Sequence, residues 1–545
     1  MRNICRLLAL LSLLCLQATA AWAQQALTLE LKDFATLPIT GVTEGKGTNE
    51  VLLARVNAIR EEPGGAPNAA AASGTPGGAP RLFVTDMNGP LYILDKNTKQ
   101  LTTYLNFDGR EGRPGIFKRL FIASGYGNGL NGFNFDPDYR RNGKFYTVHM
   151  EDPASTASNL PDSANYPGLN IAGYTTTPTI QTPGQTVNEG VLVEWTDTNP
   201  SNNTFEGTAR ELMRVRLNTR SHPMGELLFN PAARPGDADW RVIYGEVGDG
   251  ASGESRIVAI RPNPQRLDNL VGKIYRIIPD LNEHVATSKV SENGRYRIPN
   301  DNPFVSTTGA RPEIWAYGLR NPHRLTWAID PANPANNRLI ANSVGFHTWE
   351  TVNIIEKGSN HGWPLREGIQ VLNDEQKLGP LPAVDKIPMQ IGDQVTDKPV
   401  TPKYPVIQYG HVPTGGDAVG SGYVYNGKMI PVLRGKYIFG DITTGRMWYA
   451  DYKEMLAADD NKPDTLATVH EVKFLWNGKV YDTMFPINEL TYHQRGGKEE
   501  HLASRQTIAN QGRADARLAL DGNGELYIYS KSDGMIRQVV GATSK

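Results

Sequence analysis

This chain has almost no cysteine. Of its 545 residues only two are cysteines, Cys5 and Cys15, and both lie close to the amino terminus. A chain with no thiol beyond that point forms no disulfide there, and it offers no cysteine nucleophile, iron–sulfur cluster or cysteine-attached c-type haem. Any redox chemistry would therefore need an organic cofactor bound without a covalent link, or a metal on oxygen and nitrogen ligands.

An excess of charge of one sign is also missing. The chain has 56 basic and 57 acidic residues, which give a formal net charge of −1. Binding to nucleic acid or to an anionic membrane surface usually requires a basic surplus, so neither partner is predicted.

Long apolar runs are limited to the amino terminus. Arg2 and Arg6 precede an apolar run at residues 7–16, and the tripeptide AWA at residues 21–23 has the small-x-small pattern of a cleavage site. The run is too short to span a bilayer. We expect a signal peptide, residues 1–23, and export to a bacterial periplasm or beyond, with no membrane span after cleavage. A retained membrane anchor is the alternative.

Helical patterns are scarce, whereas strand signals recur. The best helix candidate is the short stretch Tyr452–Ala458, and the 55 glycines and 37 prolines predict many turns. A loose repeat of strand, polar turn and strand appears in RLFVTDMNGPLYILD from Arg81, KYIFGDITTGRMWYADY from Lys436 and ELYIYSKSDGMIRQV from Glu525. Such repeats predict an all-β chain, either a propeller or an array of β-sandwiches.

Two stretches interrupt these strand patterns. Residues 61–80 are a low-complexity run of proline, glycine and alanine, which predicts a loop. Residues 153–188 are polar and rich in threonine, proline and asparagine, so they are either disordered or form the wall of a pocket. Neither stretch has the pattern of a separate domain, and we therefore expect one domain over residues 24–545.

Five strings carry a family resemblance. In chain order they are NGLNGFNFDPDYRRNGKFY from Asn128, SHPMGELLFNP from Ser221, EIWAYGLRNPHRLTW from Glu313, VNIIEKGSNHGWPLREG from Val352 and GSGYVYNGKMIPVLRGKYIFGD from Gly420. Together they resemble the soluble glucose/sorbosone dehydrogenases that depend on pyrroloquinoline quinone (PQQ). The resemblance implies a six-bladed β-propeller that oxidises a sugar hydroxyl or hemiacetal, with hydride transfer to PQQ.

The same resemblance assigns catalytic roles. His222 stands where the family has its catalytic base, and a neutral imidazole can take a proton from a sugar hydroxyl. Arg320 would steady the developing charge, and Asn321 would hold the cofactor, since the family's Arg–Asn pair contacts PQQ and substrate. The structural alternatives are a turn histidine bonded to backbone and an Arg–Asn turn linking two blades. His347 and His411, in nearby glycine-rich loops, are further candidates.

The resemblance also implies ligands for calcium and for the cofactor's carboxylates. Calcium readily binds main-chain carbonyls, and those of Gly345 and Phe346 align with the family's calcium ligands. PQQ carries three carboxylates, which call for several cations. The positions expected to bind it are Thr443, Arg446, Arg513 and Arg517, with Thr443 standing where the family has a lysine.

Two other functions remain open at this point. One is a metal-dependent sugar or lactone hydrolase or lyase on the same propeller, which the missing lysine at Thr443 favours. The other is a propeller that binds carbohydrate or protein without catalysis. Our main expectation is an exported sugar dehydrogenase that uses PQQ and Ca²⁺, acts on a small sugar-type substrate and passes electrons to an acceptor that the sequence does not identify.

The cleavage site and the cysteine positions together make a prediction about the exported protein. We expect its mature form to begin near Gln24 and to contain no thiol, because Cys5 and Cys15 both precede the cleavage site. Amino-terminal sequencing and intact mass of secreted material measure this directly. A mature chain that retains Cys15 would contradict the prediction.

Overall fold

The parts of the chain described by the computed structural model are residues 26–44, 52–64, 81–123, 127–412, 415–502 and 512–544. The predicted signal peptide, residues 1–23, lies outside them, and so does all but the start of the predicted loop at 61–80. None of the helices within the described ranges is long and apolar enough to cross a membrane.

Strands dominate these residues, and the predicted all-β class is confirmed. Up to the middle of the chain they are β1 (Leu27–Thr36), β2 (Val56–Glu61), β3 (Leu82–Asp86), β4 (Pro90–Leu94), β5 (Leu101–Asn106), β6 (Leu130–Phe135), β7 (Lys144–Glu151), β8 (Leu169–Asn170), β9 (Thr179–Ile180), β10 (Asn188–Asp197), β11 (Gly207–Leu217), β12 (Met224–Phe229), β13 (Ile243–Val247), β14 (Lys273–Ile277), β15 (Ser288–Val290), β16 (Arg297–Pro299) and β17 (Ile314–Tyr317).

The remaining strands are β18 (Asn321–Ala328), β19 (Arg338–Val344), β20 (Trp349–Ile355), β21 (Arg366–Glu367), β22 (Gln370–Leu372), β23 (Leu378–Gly379), β24 (Ile387–Ile391), β25 (Gln394–Val400), β26 (Ile407–Gly410), β27 (Val419–Val424), β28 (Lys436–Asp441), β29 (Met447–Asp451), β30 (His470–Trp476), β31 (Lys479–Tyr481), β32 (Ala516–Leu520), β33 (Leu526–Ser530) and β34 (Met535–Ser544).

Helices are short. The α-helices of the described residues are α1 (Tyr139–Asn142), α2 (Tyr452–Ala458) and α3 (Phe485–Gln494), and the 3-10 turns are Arg110–Gly112, Val285–Thr287, Pro334–Asn336 and Pro431–Leu433. The predicted helix is confirmed as α2. The side chain of Asp451 caps it by accepting a hydrogen bond from the backbone N–H of Lys453.

The strands pair mainly in antiparallel arrays of four that follow chain order. Four sheets have the order β2-β3-β4-β5, β6-β7-β10-β11, β12-β13-β14-β17 and β18-β19-β20-β26. The nine-stranded sheet contains two more such arrays, β27-β28-β29-β30 and β32-β33-β34-β1. The three repeat copies predicted from sequence are the antiparallel hairpins β3–β4, β28–β29 and β33–β34.

The first strand of the chain completes the last array. Strand β1 pairs antiparallel with β34 and parallel with β30, so it joins residues from the two ends of the sequence. Its alternation explains this position, because Leu27, Leu29 and Leu31 are buried while Glu30 and Lys32 are exposed. The carboxy-terminal sheet therefore depends on a strand from the other end of the chain.

The hydrophobic core is divided among the contacts between successive arrays. One buried cluster packs β3, β4 and β5 on β6, β7, β10 and β11, and equivalent clusters join each later array to the next. A further cluster packs β32, β33 and β34 on β2, β3 and β4. Each sheet thus buries both faces against its neighbours, and the last array packs on the first.

The polar stretch at residues 153–188 runs beside the outer strand of the second array. Its two short strands, β8 and β9, pair with β11. Thr177 donates from its backbone N–H and its hydroxyl to the buried Glu211 carboxylate, with both bonds at 2.8 Å, and Thr179 donates its hydroxyl to Glu189. The stretch is therefore anchored to the sheet by buried carboxylates.

Strand β1 provides a test of this closure. Leu29 is fully buried, between Phe474 of β30 and Ala542 of β34 in the strand register. Leu29→Ala should lower the free energy of unfolding by about 2–5 kcal/mol, the usual cost of removing a buried leucine. Lys32→Ala, on the exposed face of the same strand, should change it by less than about 0.5 kcal/mol. Equilibrium urea unfolding measures both, and equal effects would contradict the role of β1.

Candidate functional site

All six four-stranded arrays contribute to one cavity, of about 200 Å³. Each array contributes at least one residue that lies just before or at the start of its first strand. In chain order these residues include Arg55, Gly127, His222, Asn321, Ala418 and Asp515. Because these strand starts meet at one place, residues far apart in the sequence face a common space.

A histidine and a carboxylate are paired at this cavity. His222 precedes β12 and Asp249 follows β13, and the two strands are antiparallel neighbours, with Met224 opposite Val247. The Nδ1 atom of His222 lies 2.6 Å from an oxygen of the fully buried Asp249. The two turns approach so closely that a Cβ at Gly248 would lie 2.4 Å from the carbonyl oxygen of His222.

The Asp249 carboxylate is held in its ionised form. Its oxygens accept from the Trp363 indole N–H at 2.7 Å and from the backbone N–H groups of Ala251 and Gly253. Burial alone would raise the pKa of Asp249, but His222, the charge of Arg320 and the indole outweigh it and lower that pKa below its usual value. In a neutral imidazole, an ionised partner at Nδ1 favours the tautomer with the proton on Nδ1, and Nε2 is then an acceptor.

Cations surround the rest of the cavity. Arg55, Arg513, Arg517 and Lys531 line it together with His323, and Asp515 is the carboxylate among the lining residues. Burial lowers the pKa of Arg55 to about 10, and it lowers the pKa of Arg517 as well. The cavity is thus rich in positive charge that the lining residues do not balance.

Asp515 is the centre of this cationic group. It accepts a hydrogen bond of 3.0 Å from Arg517, and Nε of Arg513 lies 3.7 Å away. Burial acts to raise the pKa of Asp515, but Arg513, Arg517 and Lys531 together lower it to about 2. The carboxylate therefore stays ionised at neutral pH and offsets part of the repulsion among the cations.

Most of the chain matches a known protein family. A family model described as Glucose / Sorbosone dehydrogenase matches residues 73–483. The chain belongs to the glucose/sorbosone dehydrogenase family. The resemblance predicted from the five sequence strings is confirmed.

Two relatives show how much of the chain is similar in sequence. The HIPL1 protein of Arabidopsis thaliana is 29% identical over 396 residues, which cover 68% of this chain and 51% of that protein. The aldose sugar dehydrogenase YliI of Escherichia coli strain K12 is 40% identical over 105 residues, or 19% of this chain and 23% of that protein. This chain therefore spans only about half the length of HIPL1.

A solved structure supports the fold. The crystal structure of the soluble aldose sugar dehydrogenase from Escherichia coli in the apo-form aligns with a TM-score of 0.51 at 17% identity, and the alignment covers 95% of this chain and 100% of that one. At this level of identity the likeness concerns the arrangement of strands and not the residues of the site.

Four residues predicted from sequence meet at the cavity. His222, Asn321, Arg513 and Arg517 all line it. Thr443 and Arg446 are not among the lining residues. The hydroxyl of Thr443 donates to Asp417 at 2.9 Å, and Arg446 donates to the carbonyl of Gly415.

Arg320 is not among the residues that line the cavity. Its guanidinium donates to the Glu254 carboxylate at 2.5 Å and to the carbonyls of Val344 and Gly345. The predicted calcium ligands Gly345 and Phe346 follow β19. Their backbone N–H groups donate to Glu350 and to Glu367, both at about 3 Å.

The two remaining histidine candidates lie outside the cavity lining. His347 is exposed, and its ring packs at a tilt against the ring of Phe346. The Nε2 atom of His411 lies 2.9 Å from an oxygen of the buried Glu350 carboxylate. Burial acts to lower the pKa of His411, but the contact with Glu350 outweighs it and raises that pKa. Neither histidine contacts the His222–Asp249 pair.

Sequence reasoning assigned no role to Arg55 or Lys531. It named the turn at residues 248–254, which contains Asp249, as a candidate for the axis lining because it follows a strand, and it named His323 as a neighbour of Arg320 and Asn321 with a supporting or structural role. It did not pair Asp249 with His222. Lys531 lies in the turn of a predicted hairpin. Arg55 had no local pattern that sets it apart, because its role comes from an array that is distant in sequence.

The charge balance around Asp515 leads to a prediction. Asp515→Asn should lower the free energy of unfolding by about 2 kcal/mol, the equivalent of the shift of its pKa from 3.8 to about 2. A depressed native pKa stabilises the fold above the unfolded pKa, and this stabilisation is lost as the pH falls toward the native value. The difference between the two proteins should therefore be constant above about pH 5 and shrink below about pH 4.

Equilibrium urea unfolding between pH 7 and pH 3 measures this difference. Asp374→Asn is the control, because that carboxylate is fully exposed where it pairs with Arg261. A variant at Asp515 that is as stable as the unchanged protein at pH 7 would show that the cations need no internal counter-charge.

Proposed function

We propose that this protein is a six-bladed β-propeller that oxidises a hydroxyl or hemiacetal of a sugar-type substrate, with PQQ as hydride acceptor. The blade number is supported by contacts between the first strands of the arrays. Strand β2 contacts β6, and contacts continue through β12, β18, β27 and β32 back to β2. A closed cycle of contacts among six antiparallel sheets is the arrangement that a six-bladed propeller requires.

The observation that carries the proposed chemistry is the pairing of a histidine base with a cationic cavity. His222 and the group Arg55, Arg513, Arg517 and Lys531 line the same space. An anionic cofactor bound among these cations would lie beside the Nε2 atom of His222. Membership of the glucose/sorbosone dehydrogenase family supports a sugar as the substrate class.

The cavity fits PQQ by the chemistry of its donors. PQQ is a tricarboxylate, and buried carboxylates need charged or N–H donors. The Nε atoms of Arg513 and Arg517 are buried, and neither has a hydrogen-bond partner within the described part of the chain. The side-chain amide of Asn321 likewise makes no hydrogen bond to any described residue and faces the cavity. When bound, PQQ would supply the acceptor for the hydride.

His222 supplies the proton acceptor. Its Nε2 atom makes no hydrogen bond with the described residues, and its ring is 12% exposed at the cavity. In the proposed reaction Nε2 takes the hydroxyl proton while the hydride leaves the substrate carbon, so the C–O single bond becomes a carbonyl. Asp249 stabilises the imidazolium that forms, because its charge is buried against Nδ1.

Arg320 and Asn321 take different parts in this proposal. Asn321 begins β18 and presents its amide to the cavity, where it would hold the cofactor. Arg320 is paired with Glu254 and with two carbonyls in the described structure. From this position Arg320 can stabilise charge on the substrate only at a distance, through the electrostatic effect of its charge near Asp249. Direct contact with the substrate would require the guanidinium to rotate out of its contacts with Glu254 and the carbonyls.

Calcium does not fit the described geometry at Gly345. The carbonyl that would bind the ion accepts a hydrogen bond from the Arg320 guanidinium, a cation that occupies that direction. No cluster of three or more His, Cys, Asp or Glu side chains suited to a metal occurs within the described ranges. No step of the proposed reaction is therefore routed through calcium, and its binding stays a prediction from the resemblance.

The wider setting of the activity is part of the proposal. The substrate is a small sugar-type molecule, and a separate electron acceptor must reoxidise the cofactor. Export to the periplasm or beyond rests on the sequence of residues 1–23 alone. Nothing in the charge of the chain favours nucleic acid as a partner.

A direct experiment tests the base and the cofactor together. Purified apoprotein should bind PQQ, seen as a change in the quinone's visible spectrum, and should then oxidise aldoses with an artificial dye acceptor. His222→Ala should reduce turnover about 10²–10⁴-fold, the usual contribution of a general base. Its affinity for PQQ should stay within a few-fold, because the cations that hold the cofactor are unchanged.

The control is His501→Ala, at an exposed histidine that is distant from the cavity lining. It should leave turnover and PQQ binding unchanged. Normal turnover in His222→Ala would remove this residue from the reaction. Absence of PQQ binding at micromolar concentrations in the unchanged protein would favour a hydrolase or lyase instead.

A further inference from the structure

Lys531 occupies a fixed position in the wall of the cavity. It follows β33 in the turn that leads to β34 and is 5% exposed. Its carbonyl accepts from the N–H of Ala54, and its N–H donates to the carbonyl of Asp515, both at 3.3 Å. The hydroxyl of Ser532 donates to the carbonyl of Arg513 at 2.8 Å. The lysine is therefore held between two segments that also carry site arginines.

The ammonium group of Lys531 lacks the partners that a buried charge normally has. The Nζ atom of Lys531 donates to the thioether sulfur of Met87 at 2.9 Å. It forms no ion pair within 4.0 Å with any residue that the structure describes. A thioether is a weak acceptor and carries no charge. An ammonium buried in this way costs free energy in the absence of a ligand.

A second buried lysine shows what a structural role looks like in this chain. Lys273 is fully buried, and its ammonium donates to the carbonyls of Asn263, Pro264 and Val271 at 2.6–3.0 Å. Those bonds hold a loop and leave no donor for a ligand. Lys531 differs from Lys273, because the N–H donors of its ammonium group make no hydrogen bond to a main-chain carbonyl and its side chain lines a cavity.

The surroundings of Lys531 favour an anion as the missing partner. Burial and the charge of Arg517 lower the pKa of Lys531 well below its usual value, while Asp515 acts in the other direction. The charges of Arg55 and Arg324 also lower the pKa of Lys531. A negative group placed among them would offset repulsion that Asp515 alone does not remove.

We propose that Lys531 is an anion anchor whose ammonium group binds a carboxylate of the ligand that this cavity takes. Under the proposed function, on which the identity of the ligand rests, that ligand is PQQ. Thr443, the position from which a cation was expected, donates its hydroxyl to Asp417 and does not line the cavity. The positive charge therefore comes from the turn after β33 rather than from the turn after β28.

The test compares Lys531→Met, which keeps the length of the side chain and removes its charge, with Lys531→Arg, which keeps the charge. Lys453→Met, at an exposed site on α2, is the control. Two anions serve as probes: PQQ, and benzene-1,3,5-tricarboxylate, which has three carboxylates and no quinone. Affinity is measured by titration, and thermal unfolding of each ligand-free protein is measured in parallel.

We expect Lys531→Met to weaken PQQ binding about 10- to 100-fold, the effect of losing one charge-assisted hydrogen bond. Lys531→Arg should recover most of that loss, and Lys453→Met should bind as the unchanged protein does. Ligand-free Lys531→Met should unfold at the same temperature as the unchanged protein or higher, because an unpaired buried charge is gone. A merely structural lysine would give the opposite result, a lower unfolding temperature.

The outcomes separate this inference from the proposed function. If the unchanged protein binds PQQ and Lys531→Met binds it equally well, the anchor is wrong and the proposed function stands. If PQQ does not bind but the tricarboxylate binds in a manner that depends on Lys531, the anchor stands and the cofactor assignment fails. If neither anion binds to the unchanged protein, both proposals are overturned. Lower thermal stability of ligand-free Lys531→Met would also overturn the anchor.

Discussion

The contacts among the first strands of the arrays are the constraint on which the rest of the structure depends. Each of β2, β6, β12, β18, β27 and β32 contacts the next, and β32 contacts β2. The cycle can close only if the last array packs on the first, and that array is completed by β1 from the other end of the chain. Its closure brings the starts of all these strands to one place, and the cavity lies there.

Closure of the cycle also determines which charges meet. Arg55 and Lys531 are separated by most of the chain, yet both line the cavity with Arg517. Arg214 shows a buried cation that is balanced, because it forms ion pairs with Glu151, Glu189 and Glu211. At the cavity Asp515 is the carboxylate among several cations. This imbalance lowers the stability of the ligand-free protein, and it is physically reasonable where an anion is to be bound.

Local features of the site and fold were predictable from the sequence, and long-range ones were not. The hairpins β3–β4, β28–β29 and β33–β34 followed from short strand patterns and turn residues, and the helix Tyr452–Ala458 followed from its local helical pattern. His222 and Asn321 followed from family strings. The partner of His222 did not, because Asp249 is joined to it only through the pairing of β12 with β13. Lys531 had no pattern of its own, since its role depends on Arg55 and Arg517 from other strands.

The direction of Arg320 shows why a matching string does not determine side-chain geometry. Arg320 lies in a bend, directly before Asn321 begins β18. Asn321 lines the cavity. The Arg320 guanidinium donates instead to Glu254 and to the carbonyl of Val344, although the string that contains both residues matches the family.

The two sides of the strand start are nevertheless connected through Asp249. Its backbone N–H donates to the carbonyl of Arg320 at 2.8 Å, while its carboxylate holds His222. A shift of the Arg320 backbone would therefore be transmitted to Asp249, which is bonded to His222, the proposed base. In the proposed reaction the Arg320–Asn321 string would thus help to position His222, and this link requires no direct contact between the guanidinium and the substrate.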